Sequence, residues 1–110
     1  MPFPHIQGAF RQVLNADAAQ CAVADGLTPG EAAMGEPLAV ALHAVRRAGG
    51  LVGKSVLVTG CGPIGTLAIL AARRAGADHI VATDLSDFTL SMAKQIGADG
   101  VINMGSAPDG

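Results

Sequence analysis

The residues of this chain best suited to chemistry are glycines. Gly60, Gly62 and Gly65 stand in the order G-x-G-x-x-G inside VLVTGCGPIG. Glycine at these intervals can carry a tight turn, let backbone approach a phosphate, and let a helix lie close on a strand. Alone the pattern is weak, and a loop that merely turns satisfies it as well. A second residue narrows the choice. Asp84 lies 24 positions after Gly60, at the end of the apolar run IVAT. A carboxylate there suits the hydroxyls of an adenosine ribose, about 20 residues beyond such a loop. Asp84 can equally begin a turn or help Ser86 cap a helix. The two features at this separation predict a dinucleotide site made of Gly60, Gly62, Pro63, Ile64, Gly65 and Asp84. Pro63 has no N–H, so Ile64 and Gly65 are the expected anion donors at the helix N-terminus. Asp84 would repel a 2′-phosphate, and Leu85 to Ser91 contains no Lys or Arg. NAD is therefore expected over NADP. S-adenosylmethionine is the rival ligand, disfavoured because it has no pyrophosphate to cradle.

The elements around the loop follow from periodicity and end signals. SVLVT (55–59) reads as a strand buried on both faces. A helix is expected from Pro63 to Ala75, with Gly76 as its stop. HIVAT (79–83) is the second strand, Ser86 caps a helix to about Ile96, and GVIN (100–103) is a third, short strand. Strand and helix alternating in this way predict an α/β fold, βαβαβ on a parallel sheet. Its first strand would be an unprotected apolar edge.

Upstream, Pro37 fits the first position of a helix. Leu38, Ala41, Leu42, Val45 and Ala48 give it an apolar stripe, with Arg46 and Arg47 at its negative end. Thr28, Pro29 and Glu31 spell a capping box and a short helical turn through Met34. Phe10–Leu14 and Gln20–Ala24 read as strand-like runs around a turn at Asn15-Ala16-Asp17.

The chain has 110 residues, half of them hydrophobic, with 3% aromatics and a net charge of −2. That suits one small domain with a real core. Seven scattered Lys and Arg exclude a counterion-release nucleic-acid binder. No apolar run reaches the ~20 residues of a membrane helix. MPFPHIQGAF has no basic region followed by a long apolar one, so no signal peptide is read and a cytoplasmic location is expected. Cys21 and Cys61 lie 40 positions apart and form no metal or disulfide pattern.

GEPLAVALHAVRRAGG, GKSVLVTGCGPIGTLAILAARRAGA and IVATDLSDFTLSMAKQIGAD together resemble the zinc-dependent medium-chain alcohol and polyol dehydrogenases. The likeness is nearest to their sorbitol and L-idonate 5-dehydrogenase branch and covers nearly the whole chain. It implies the N-terminal half of a Rossmann sheet, preceded by the terminal strands and helix of a catalytic domain. Residues 1–35 would end that domain, and residues 36–110 would be the linking helix and the first half of the nucleotide domain. It further implies NAD-dependent oxidation of a polyol or sugar acid, assisted by zinc, in a homo-oligomer about three times as long. By this likeness Glu36 takes the place of an acid at the catalytic zinc, as ligand or close neighbour. The family's Cys and His-Glu partners are absent, so no zinc is expected in this piece and the piece alone is expected to be inactive. Catalytic residues are unassigned. Two other readings stay open: a zinc-free quinone-reductase-type relative, and a nucleotide-binding module without catalysis.

Bland readings accompany the remaining residues. Without the resemblance, Glu36 is a carboxylate favoured at a helix N-terminus. His43 is expected to pack in its helix, and His5 and His79 to be structural. Cys61 is expected as a small residue that fits, rather than an oxidisable thiol beside the pyrophosphate. Cys21 reads as a buried strand residue, and Asp87 and Lys94 as solvated charges. Thr89 replaces an Arg that branch members often carry near the adenosine, which bears on the strength of adenosine binding.

Overall fold

The computed structural model describes residues 8–106. Its centre is a three-stranded parallel sheet in the order β1 (Ser55–Thr59), β2 (His79–Asp84), β3 (Gly100–Asn103). Helix α3 (Pro63–Arg74) connects β1 to β2, and α4 (Asp87–Gln95) connects β2 to β3. The expected βαβαβ unit is therefore present, with every strand within one residue of its sequence reading. The register pairs Ser55 with His79 and Thr59 with Thr83, then Val81 with Gly100 and Asp84 with Asn103. Parallel strands end on one side, so Thr59, Asp84 and Asn103 lie along a single edge. The loop leaving β1 thus emerges beside the end of β2.

One face of the sheet makes the core. Val56 and Val58 of β1 pair with Ile80 and Ala82 of β2, and the latter two are fully buried. Ile69 and Ala72 of α3 and Leu90 and Ala93 of α4 cover that face. Small alanines let the helices come close, and burial of the larger side chains contributes about 1.5–3 kcal/mol each. The other face differs from expectation. Leu57 is 63% exposed, so β1 is covered on one side only. An apolar strand does not by itself supply a second layer. β1 also forms the sheet edge, as expected.

Helix α2 (Gly35–Ala48) packs on α3 through Ala41, which meets Leu67 and Ala71, with Leu38 and Val45 alongside. It begins two residues before the expected Pro37. Pro37 is its third residue, where a missing N–H still costs no helical bond. Met34 ends α1 (Pro29–Ala33) and is also the first flanking residue of α2, so the two helices nearly run on. The capping box forms: Thr28 accepts from the Glu31 amide, and the Glu31 carboxylate accepts from the Thr28 N–H at 2.8 Å.

Several expectations fail. Phe10–Leu14 and Gln20–Ala24 are not strands. A strand exists only through a partner's ladder, and no described segment pairs with either run. Asp17 instead accepts from the Ala19 N–H at 2.9 Å and caps a 3₁₀ turn, Ala18–Gln20. Cys21 follows that turn and is exposed, not buried. His43 is also exposed. At 100° per residue it projects away from the Leu38–Ala41–Val45 stripe, so it does not pack in the helix interface. His5 lies outside the described residues.

Candidate functional site

The glycine loop is built by its neighbours. Gly60 turns the chain out of β1 with φ +86°, a region that glycine occupies without strain. Its N–H donates to the Thr83 carbonyl at 2.8 Å, which extends the β1–β2 ladder into the loop. Gly65 has another role. A Cβ placed there would stand 1.8 Å from the Gly60 carbonyl oxygen, so only glycine lets α3 start this close to the strand. Gly62 meets neither constraint. Its φ is −67°, and a Cβ there would meet nothing within 4 Å. Among the described residues nothing demands glycine at 62, which leaves the space beside its backbone open.

Donors face that space. Among the described residues nothing accepts from the amides of Gly62, Ile64 and Gly65. They lie at the start of α3, whose dipole adds positive potential. A depression of about 490 Å³ borders Gly60, Gly62, Ile64 and Gly65. Amides without acceptors and the positive end of the helix give this depression the donors and the charge that an anion requires.

Asp84 stands at the end of β2, against the loop. Its Oδ2 accepts from the Cys61 N–H at 2.6 Å. Its Oδ1 accepts from Leu85 N–H at 2.7 Å and Ser86 N–H at 3.1 Å. The turn reading of Asp84 is therefore fulfilled. These backbone donors, Cys61 foremost, hold its carboxyl below the usual range, although the group faces solvent. Both carboxylate oxygens are thus engaged by backbone donors.

The other loop residues are held in turn. Thr66 donates its hydroxyl to the carbonyl of Gly62 at 2.9 Å or of Cys61 at 3.1 Å. Cys61 is buried, with its thiol directed to the Thr83 carbonyl at 3.6 Å. Burial, with the nearby Asp84 charge, raises its pKa. It is thus the small residue that fits, not an activated thiol.

Glu36 is brought to none of these groups. It occupies the first turn of α2 and is exposed. Among the described residues no group of three His, Cys, Asp or Glu could hold a metal. Zinc takes three or four protein ligands, so these residues do not by themselves make a zinc site.

Sequence reasoning missed the opposite end of the sheet. Arg73 of α3 donates to the carbonyls of Ala77, Asp78 and Gly97 and pairs with Asp99 at 2.5 Å. Asp99 also accepts from the Ile80 N–H at 2.7 Å. This ties both helix–strand returns together below the loop. Arg73 and Asp99 are 26 positions apart, and no short-range pattern announces such a pair. Asp87 and Lys94 are not merely solvated: Asp87 accepts from Asn103 at 2.6 Å, and Lys94 donates to the Asp99 carbonyl. His79 is exposed and lies 3.7 Å from Asp99. Thr89 turns its hydroxyl back to the Ser86 carbonyl at 2.9 Å.

A parallel half-sheet with a glycine loop and an acid at its carboxyl edge defines a Rossmann-type nucleotide fold. Residues 63–109 match the family described as zinc-binding dehydrogenases. The chain is 43% identical over 107 residues to the L-idonate 5-dehydrogenase (NAD(P)(+)) of Escherichia coli, covering 94% of this chain and 30% of that protein. Bovine sorbitol dehydrogenase is 50% identical over 80 residues, 73% of this chain and 22% of that one. The crystal structure of the Escherichia coli L-idonate 5-dehydrogenase superposes with a TM-score of 0.91 at 39% identity, over 99% of this chain and 32% of that one. The chain thus spans about 30% of the length of that dehydrogenase. The family resemblance read from the sequence is borne out.

Proposed function

We propose that these residues form the nucleotide-binding part of an NAD-dependent dehydrogenase acting on a polyol or sugar acid. Residues 36–110 would be the linking helix and first half of the nucleotide domain, and residues 1–35 the end of the catalytic domain. The observation that carries the reading is Gly62. Among the described residues nothing requires glycine there, and the amides of Gly62, Ile64 and Gly65 have no acceptor, beside the Asp84 carboxylate that holds the Cys61 N–H. The pyrophosphate would lie on the amides of Gly62, Ile64 and Gly65, with Pro63 fixing the first helical turn. Asp84 would accept one ribose hydroxyl.

Asp84 also favours NAD over NADP, because a 2′-phosphate would bring like charge against a carboxylate. The similar Escherichia coli enzyme is named for both cofactors, so the choice rests on Asp84 in this chain. A cytoplasmic location is part of this reading. Among the described residues no helix is long and apolar enough to cross a membrane. The substrate class follows the relatives' names, and the metal and proton-handling groups would come from outside the described residues, with Glu36 one contributor at most.

Calorimetric titration of the intact protein with NAD and NADP tests the reading. Binding of NAD at micromolar to sub-millimolar concentration, at least tenfold tighter than NADP, is the expected result. Binding of neither cofactor refutes it, and a preference for NADP refutes the role given to Asp84.

A further inference from the structure

We infer that Asp84 is a positioning residue for the phosphate loop, acting through the N–H of Cys61, and not only a partner for the ribose. The inference rests on the nucleotide reading above. The inward-facing groups of the loop are tied down one by one. Gly60 N–H is held by the Thr83 carbonyl, the Gly62 carbonyl accepts from the Thr66 N–H at 2.9 Å, and the Thr66 hydroxyl donates to the Gly62 or the Cys61 carbonyl. The Cys61 N–H is the remaining inward donor, and its acceptor is the Asp84 carboxylate at 2.6 Å. With that bond made, the Cys61 peptide cannot rotate, and the next amides along the chain point outward to the anion space. The bond is charge-assisted and therefore of the stronger kind. Its two residues are 23 positions apart and meet only because β1 and β2 pair in register.

The charge of Asp84 makes the two roles separable by sign. A carboxylate near an anion site repels the anion, so a purely ribose-binding Asp84 predicts tighter pyrophosphate binding when it is neutralised. A positioning Asp84 predicts the reverse. In Asp84→Asn the amide oxygen can serve either Cys61 or the Leu85–Ser86 amides, but not both. Its NH₂ then faces an N–H.

The intact protein and Asp84→Asn are titrated with inorganic pyrophosphate, which has no ribose, and with adenosine, which has no phosphate. The expected result is that Asp84→Asn loses affinity for both, by about tenfold for pyrophosphate. Unchanged or tighter pyrophosphate binding, with adenosine binding lost, overturns the inference and leaves the nucleotide reading standing. An intact protein that binds neither probe overturns both. Hydrogen exchange in the unaltered protein, read amide by amide, covers the case in which the variant does not fold. The Cys61 amide is expected to exchange more slowly than those of Gly62 and Ile64, with adenosine bound or absent. Equal exchange at all three overturns the inference.

Discussion

A Cβ on Gly65 would lie 1.8 Å from the carbonyl oxygen of Gly60. The obstacle is backbone, so no rotamer change relieves it. Gly65→Ala is expected to push α3 away from β1 and cost about 3 kcal/mol, the upper range of over-packing penalties. Thermal unfolding followed by circular dichroism measures this, and an unchanged midpoint would contradict the close approach.

Gly62→Ala separates binding from stability. The position has an ordinary backbone conformation and open space around it. The variant is expected to unfold within about 0.5 kcal/mol of the parent. It is also expected to bind NAD at least tenfold more weakly, because the methyl enters the pyrophosphate space. Calorimetry on a variant shown to be folded reads the difference. Full NAD affinity would remove the main support for the site.

Arg73 and Asp99 carry the lower end of the sheet. The Ile80 amide, with help from Arg73, holds the Asp99 carboxyl below its usual pKa. A carboxyl depressed in the folded state stabilises above its unfolded pKa, roughly 3.9. That contribution is lost as pH falls through the lower folded value. Asp99→Asn is therefore expected to be less stable than the parent at pH 7, with the gap closing below about pH 4. Arg73→Ala is expected to cost about 2 kcal/mol at neutral pH through three abandoned carbonyls. Denaturant unfolding across pH 3–8 tests both (the range brackets roughly the ordinary carboxyl and imidazole values). A pH-independent gap for Asp99→Asn would show that its charge is not involved.

The two cysteines should part in reactivity. Cys61 is buried with a raised pKa, and Cys21 is exposed. A thiol alkylating reagent at pH 7.5 is expected to label Cys21 in the native chain and Cys61 only after unfolding. Peptide mass mapping distinguishes the two. Labelling of native Cys61 would mean that the loop opens far more readily than its hydrogen bonds imply.

Cofactor preference should move with charge near Asp84. Replacing Asp84 with Ser and Leu85 with Arg removes the repulsion and adds a guanidinium. The NADP-to-NAD affinity ratio is expected to rise at least tenfold. No movement in that ratio would detach Asp84 from the 2′ position. Because Asp84 also holds Cys61, weaker binding of both cofactors is expected alongside the altered ratio.

Much of this architecture is legible in the sequence because its causes are local. Thr28 and Glu31 form their capping box three residues apart, and Ser86 caps α4 through the Thr89 amide. The apolar runs of β1 and β2 and the glycines after α3 and α4 mark their ends within a residue. The spacing of Gly60, Gly62 and Gly65 identified a strand-to-helix loop, since Gly60 acts at its own turn and Gly65 against Gly60, five residues away. Tertiary structure decided what depends on partners distant in sequence. Phe10–Leu14 is strand-like in composition but meets no ladder, so it stays irregular. Cys21 and His43 are exposed because neither residue meets a covering surface. Arg73 finds Asp99, and Asp84 finds the Cys61 amide, only once parallel pairing has brought their elements together. The sequence could mark Asp84 as an acid near a nucleotide, but the pairing of β1 with β2 made it part of the loop.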